Sequence, residues 1–107
     1  MNYERLKKNT DIQRLFRQGK RAHSDALTFI YAPAAAVKMA VIVSKKHGKA
    51  VKRNRIKRLL RQAFSESVPL LPFSCSVLII PREAEEYTFQ RFAASMKKCC
   101  KKMACHG

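Results

Sequence analysis

Nine of the positions from Lys45 to Arg61 are Lys or Arg and none is acidic, yet the same segment enters an apolar stripe of helical period. Ile56, Leu59, Leu60, Ala63 and Phe64 fall at i, i+3, i+4, i+7 and i+8, the spacing of one buried face of an amphipathic helix. The charge is therefore displayed on a folded element and not on a loose tail. At about 100° per residue, Asn54, Arg58 and Arg61 project opposite the stripe, with Arg55 and Lys57 on its flanks. Such a helix requires an apolar core behind it and favours a polyanion in front of it.

The rest of the chain supplies that core. Leu27 to Tyr31 is rich in β-branched and aromatic residues and runs to Pro33, which predicts a strand. Small residues from Ala34 to Ala36 lead into a second strand, Met39 to Ser44, and the pair is expected to form an antiparallel hairpin. Lys20 to His23 is a candidate short strand ahead of them. Val77-Leu78-Ile79-Ile80 is an uninterrupted apolar run, the pattern of a strand covered on both faces. A strand, helix, strand order around the basic helix makes the two flanking strands parallel members of one sheet. Thr10-Asp11-Ile12-Gln13 reads as a capping box opening a short first helix that carries Ile12, Leu15 and Phe16 and stops at Gly19. Phe89, Phe92, Ala93, Met96, Cys100 and Met103 mark a last helix, with Lys97, Lys98, Lys101 and Lys102 on its wet side. The expected fold is α+β, a two-layer sandwich of helices on a three- or four-stranded central mixed sheet, in the order α-β-β-β-α-β-α if Lys20 to His23 counts as a strand. One domain should span residues 1–107, ending in a basic Cys/Lys-rich tail from about residue 97.

Charge narrows the function. Against 23 Lys and Arg stand 7 Asp and Glu, a net charge of +16, and no acid occurs between Asp25 and Glu66. Hydrophobic content of 47% argues against wholesale disorder. No run approaches the roughly 18 apolar residues of a membrane span, so a cytoplasmic protein is expected. Free thiols are then the better reading of Cys75, Cys99, Cys100 and Cys105. A zinc site from Cys99, Cys100, Cys105 and His106 has a spacing that matches no usual ligand set. The scattered acids offer no two-metal nuclease site, and His23, His47 and His106 assemble no convincing nucleophile and base.

The stretch from Val43 to Arg58, VSKKHGKAVKRNRIKR, resembles the signature of the bacterial ribonuclease P protein component, the small basic subunit of the ribozyme that matures transfer RNA 5′ ends. Leu6-Lys7-Lys8, then Asp11 to Phe16 and Gly19, look like that family's first helix, and the likeness covers roughly residues 5 to 96. The resemblance implies a left-handed crossover through the RNR helix, where general rules would give a right-handed one. It implies that the RNA subunit, with magnesium, cleaves the phosphodiester bond while the protein assists, one protein per RNA. The implied partners are ribonuclease P RNA and precursor transfer RNA, with no membrane partner.

The RNA-subunit-binding surface is expected to comprise Lys45, Lys46, Lys49, Lys52, Arg53, Asn54, Arg55, Lys57, Arg58 and Arg61. Lys and Arg supply salt-sensitive phosphate contacts, and Arg adds bidentate geometry. Asn54 is uncharged among cations; it orients Arg53 and Arg55, touches a base or ribose hydroxyl, or holds a metal-bound water near the RNA, the bland alternative being that it caps the helix. The resemblance also implies a cleft for the 5′ leader between the first helix and the sheet, at Ile12, Phe16 and Tyr31, with Phe29 on the same strand face as Tyr31. The bland reading of these four is core. Ile12 stands where the family usually has an aromatic, Gln62 where many relatives have an acid, and Ser74-Cys75-Ser76 where an Asp commonly opens the last strand. A structural RNA-binding protein and a basic peripheral membrane protein are the competing readings.

Overall fold

The computed structural model, which describes residues 2–106, is built around the run expected to be covered on both sides. β5 (Cys75–Pro81) is the central strand of a five-stranded sheet, and Val77, Leu78 and Ile79 retain no solvent exposure. The elements along the chain are β1 (Glu4–Arg5), α1 (Asn9–Gln18), β2 (Lys20–His23), β3 (Leu27–Pro33), β4 (Lys38–Val41), α2 (Ala50–Ser67), β5 and α3 (Phe89–His106). Short 3₁₀ turns at Lys45–His47 and Val68–Leu70 flank α2. The strand order is β1-β4-β5-β3-β2.

β4 and β5 are parallel neighbours joined through α2, as the strand, helix, strand order predicts. The expected β3–β4 hairpin does not form. β5 lies between the two, antiparallel to β3 over seven residue pairs and parallel to β4 over four. The uninterrupted apolar run takes the central place in the sheet, where both of its faces are covered. The link from Pro33 to Lys38 therefore bridges about 10 Å, two strand spacings. The hairpin partner of β3 is instead β2, with Lys20 opposite Tyr31 and His23 opposite Thr28. β1 adds an edge strand beside β4 that the sequence pattern did not suggest.

α2 and α3 cover one face of the sheet. Phe64 of α2 is at the centre of this core, in edge contact with the rings of Tyr3 at 5.2 Å and Phe29 at 6.2 Å. Ile56, Leu60, Ala63 and Phe64 are buried as the stripe requires, and Leu59 is half-buried. Full burial of such side chains contributes about 1.5 to 3 kcal/mol each. α1 lies across the other face over a smaller cluster of Leu6, Leu15, Ile30 and Leu78. Its predicted capping box is not made: the helix starts at Asn9, Lys8 occupies the cap position without a side-chain bond, and Thr10 falls inside the first turn. Gly19 does end the helix, for packing reasons. A Cβ there would stand 2.6 Å from the Leu15 carbonyl oxygen and 2.7 Å from Ile30 Cγ2.

The Lys-rich end of the chain continues α3 and is stitched to the β2–β3 turn. Lys98 pairs with Asp25 at 2.9 Å, Lys102 Nζ donates to the His23 carbonyl, and Ser95 Oγ accepts the Ala26 N–H at 3.1 Å. Cys75, Cys99 and Cys100 are free thiols in the core, while Cys105 is exposed. Burial pushes the Cys75 thiol up to about 11 and that of Cys100 up to about 12, and raises that of Cys99 as well. These are packing residues with suppressed thiolate chemistry. No group of three or more His, Cys, Asp or Glu converges on a metal position among the described residues, and the His106 side chain lies outside them.

Candidate nucleic-acid interface

The basic segment is held rigid at its entrance by a histidine. His47 is buried in the 3₁₀ turn; its Nδ1 accepts the Ser44 N–H at 3.1 Å, and its Nε2 stands 2.8 Å from the Pro81 carbonyl oxygen. An acceptor at Nδ1 and a carbonyl at Nε2 together fit the neutral ring protonated on Nε2. The imidazole thus ties the end of β4 to the end of β5 and fixes Lys45 and Lys46 beside it. Gly48 follows with φ +118°, a conformation that side-chain-bearing residues avoid, and a Cβ there would meet Lys52 Cδ at 2.7 Å. The chain then turns into α2 at Ala50, with Lys49 at the cap position.

Asn54 is exposed in the second turn, so the capping role proposed for it falls. The exposed outer face consists of Asn54, Arg55 and Arg58. Lys45, Lys46, Lys49 and Lys52 are also exposed, whereas Arg53, Lys57 and Arg61 are half-buried along one edge at i, i+4 and i+8. Arg61 is therefore a flank residue, where the helical wheel had put it opposite the stripe. It lines a groove of about 250 Å³ with Arg5, Lys7, Ile12, Ala40 and Ile42. The groove runs between α1 and β4, on the sheet face that α1 only partly covers.

Of the ten predicted RNA-facing residues seven are exposed and three half-buried, and none of their nine cations forms an ion pair with a described residue. Among the described residues the one ion pair is Lys98–Asp25, remote from α2. Arg53 Nε is buried with no hydrogen-bond partner. Like charges at i, i+4, as along Arg53, Lys57 and Arg61, cost about 0.2 to 0.5 kcal/mol per pair on a helix. A phosphate backbone would reverse that sign.

The four leader-cleft residues separate. Ile12 and Phe16 sit on α1, Ile12 half-buried towards the groove and Phe16 39% exposed. Phe29 and Tyr31 do not belong there. They are 0% and 2% exposed and point into the α2–α3 core, because β3 turns Leu27, Phe29 and Tyr31 to that face and Thr28, Ile30 and Ala32 to α1. The strand alternation carried this signal, since Leu27 shares a face with both aromatics. Sequence reasoning also missed Arg5 and Lys7, which extend the cationic surface from α2 to α1. A second groove of about 300 Å³ lies on the other flank of α1, among Arg14, Gln18, Ala32, Lys38 and Ser76.

With this geometry in place, likeness to known proteins decides the family. The family model for ribonuclease P matches residues 1–104. The chain belongs to the ribonuclease P family. Among its relatives, the ribonuclease P protein component of Bacillus pumilus is 35% identical over 104 residues, 94% of this chain and 87% of that protein. That of Coprothermobacter proteolyticus is 39% identical over 80 residues, 75% of this chain and 66% of that one. The solved RNase P protein of Staphylococcus aureus superposes with a TM-score of 0.78 at 28% identity, covering 94% of both chains. The ribonuclease P fold is thus shared across nearly the whole chain, including the mixed sheet and all three helices.

Proposed function

We propose that this chain, as the protein component of ribonuclease P, clamps the catalytic RNA with α2 and guides the 5′ leader of precursor transfer RNA along the grooves beside α1. The carrying observation is the cationic ridge of α2, continuous with Arg5 and Lys7 and free of internal carboxylate partners. Nine cations with no ion-pair partner among the described residues favour a polyanion, and the His47–Gly48 entrance is tied to β5 through the Pro81 carbonyl. The leader, a single strand, suits the α1 side. There half-buried Ile12, Ala40 and Ile42 lie beside Arg5, Lys7 and Arg61, and the same helix exposes the Phe16 ring, apolar or aromatic surface joined to cations as single-stranded RNA uses.

Cleavage belongs to the RNA in this reading, and the protein raises its efficiency by holding substrate and ribozyme together, one protein per RNA. Magnesium would be held chiefly by RNA phosphates, which suits a chain that converges no set of three acidic, imidazole or thiol ligands among its described residues. The proposed site of action is the cytoplasm; among the described residues no helix is long and apolar enough to cross a membrane.

The test is precursor transfer RNA cleavage by a bacterial ribonuclease P RNA at low magnesium, with and without the protein. Stimulation is expected. Arg58→Ala, on the outer face, should weaken RNA binding and lower the slope of log affinity against log salt by about 0.7 to 0.9. Tight RNA binding without stimulation would instead favour a structural RNA-binding protein, and an unchanged slope would remove the phosphate role of Arg58.

A further inference from the structure

The edge of α2 away from Arg61 faces a different neighbour. Lys52 and Arg55 look across a cavity of about 260 Å³ at Glu85, Glu86, Tyr87 and Thr88, in the turn that leads into α3. Opposite charges lining one cavity ordinarily pair, yet neither cation forms an ion pair with either carboxylate. The turn is braced. Tyr87 stacks on Phe92 at 6.0 Å between centroids, its hydroxyl accepts the Ala84 N–H at 3.0 Å, and Lys52 Nζ stands 5.4 Å from its ring centre. Thr88 Oγ1 accepts the Arg91 N–H at 3.3 Å, which fixes the start of α3. The carboxylates are therefore carried by an anchored turn and separated from the cations by open space.

An occupant of this space must bring an anion or acceptor to Lys52 and Arg55 and hydrogen-bond donors to a carboxylate, which only accepts. A nucleotide brings both. Of the four RNA bases only guanine offers two adjacent donors, N1–H and N2–H, to match the two oxygens of one carboxylate. Cytosine and adenine place their amino group beside an acceptor, and the uracil N–H lies between two carbonyls. We propose that the cavity receives one unpaired guanosine of the bound RNA, with its phosphate on Lys52 and Arg55 and its Watson–Crick edge on Glu85 or Glu86. This rests on the RNA-binding reading above and adds base selection to a surface that otherwise reads phosphates alone.

The experiment is fluorescence anisotropy of the full chain with short single-stranded RNAs, identical adenosine tracts that carry G, A, C or U at one central position. The G-bearing RNA is expected to bind about tenfold more tightly than the others. In the double variant Glu85→Gln and Glu86→Gln, the G-bearing RNA should lose its advantage while affinity for the A, C and U RNAs holds or rises, because two negative charges have left a cationic surface. Equal affinities in the wild type, or a G preference that survives in the variant, overturns the inference and leaves general RNA binding intact. Failure to bind any of the four would overturn both.

Discussion

Replacing His47 by Ala should cost the fold about 2 to 5 kcal/mol, a large share of the roughly 5 to 15 kcal/mol that holds a domain together. The imidazole makes two bonds that nothing else replaces: 3.1 Å from the Ser44 N–H and 2.8 Å to the Pro81 carbonyl oxygen. The Pro81 carbonyl left unsatisfied at a buried site costs about 1 to 3 kcal/mol, and the part-buried Ser44 N–H less. The ring also packs beside Tyr87, centroids 6.3 Å apart, so its removal leaves a void as well. Asn at the same position keeps an acceptor near that of Nδ1 but cannot reach Pro81, and should recover the smaller part of the loss. The assay is urea unfolding followed by far-UV circular dichroism, since the chain has no tryptophan to report by fluorescence. An Ala variant within about 1 kcal/mol of wild type would refute the argument, because that is less than one lost buried bond. So would an Asn variant no better than Ala, since the Ser44 bond would then carry nothing.

Phe16→Ala is a contrasting case. With 39% of its surface already exposed, the side chain should forfeit less than the roughly 3 to 5 kcal/mol of a buried Phe. Its preference for precursor over mature transfer RNA should nevertheless fall. A loss of stability in that larger range with unchanged preference would return Phe16 to the core. Thiol chemistry gives another check: at neutral pH a disulfide reagent should modify Cys105 quickly and Cys75, Cys99 and Cys100 only on unfolding. Burial holds Cys100 protonated up to about 12, whereas an unfolded thiol ionises near pH ~8.5. Stability is therefore intact below about pH 8.5 and falls as the pH rises through that window. Cys100→Ala should flatten the alkaline fall in unfolding free energy, and an equally steep fall would refute the assignment.

The helices were legible because their apolar residues recur at helical spacing, and the central strand because its apolar run is short and unbroken. The α2 stripe and the run at Val77–Ile80 each admit one placement once a core exists. Strand adjacency was not legible, since β3 and β4 are close in sequence and nothing local reveals that a strand nearly forty residues later enters between them. The cationic surface could be read directly from composition, as solvent-facing charge needs no partner to be found. The cleft could not. Whether an aromatic on β3 is core or cleft depends on which face α1 covers, and that is set by the packing of Leu15 on Ile30 and Leu78. His47 was noticed only as a poor catalytic base, because its partner at Pro81 is 34 residues away.

The insertion of β5 also orders events on the ribosome. Synthesis is vectorial, and until Pro81 has emerged the β2–β3 hairpin and the β1–β4 pair are separate fragments with no strand between them. The sheet can close only after the whole of α2 has been made, so the chain commits to its fold with the cationic ridge already out of the exit tunnel. A nascent molecule thus shows its charge before it has a core. Slow, non-local closure of this kind is what a low-to-high contact-order progression predicts, and it leaves a polyanion free to engage α2 while the last strand is still arriving.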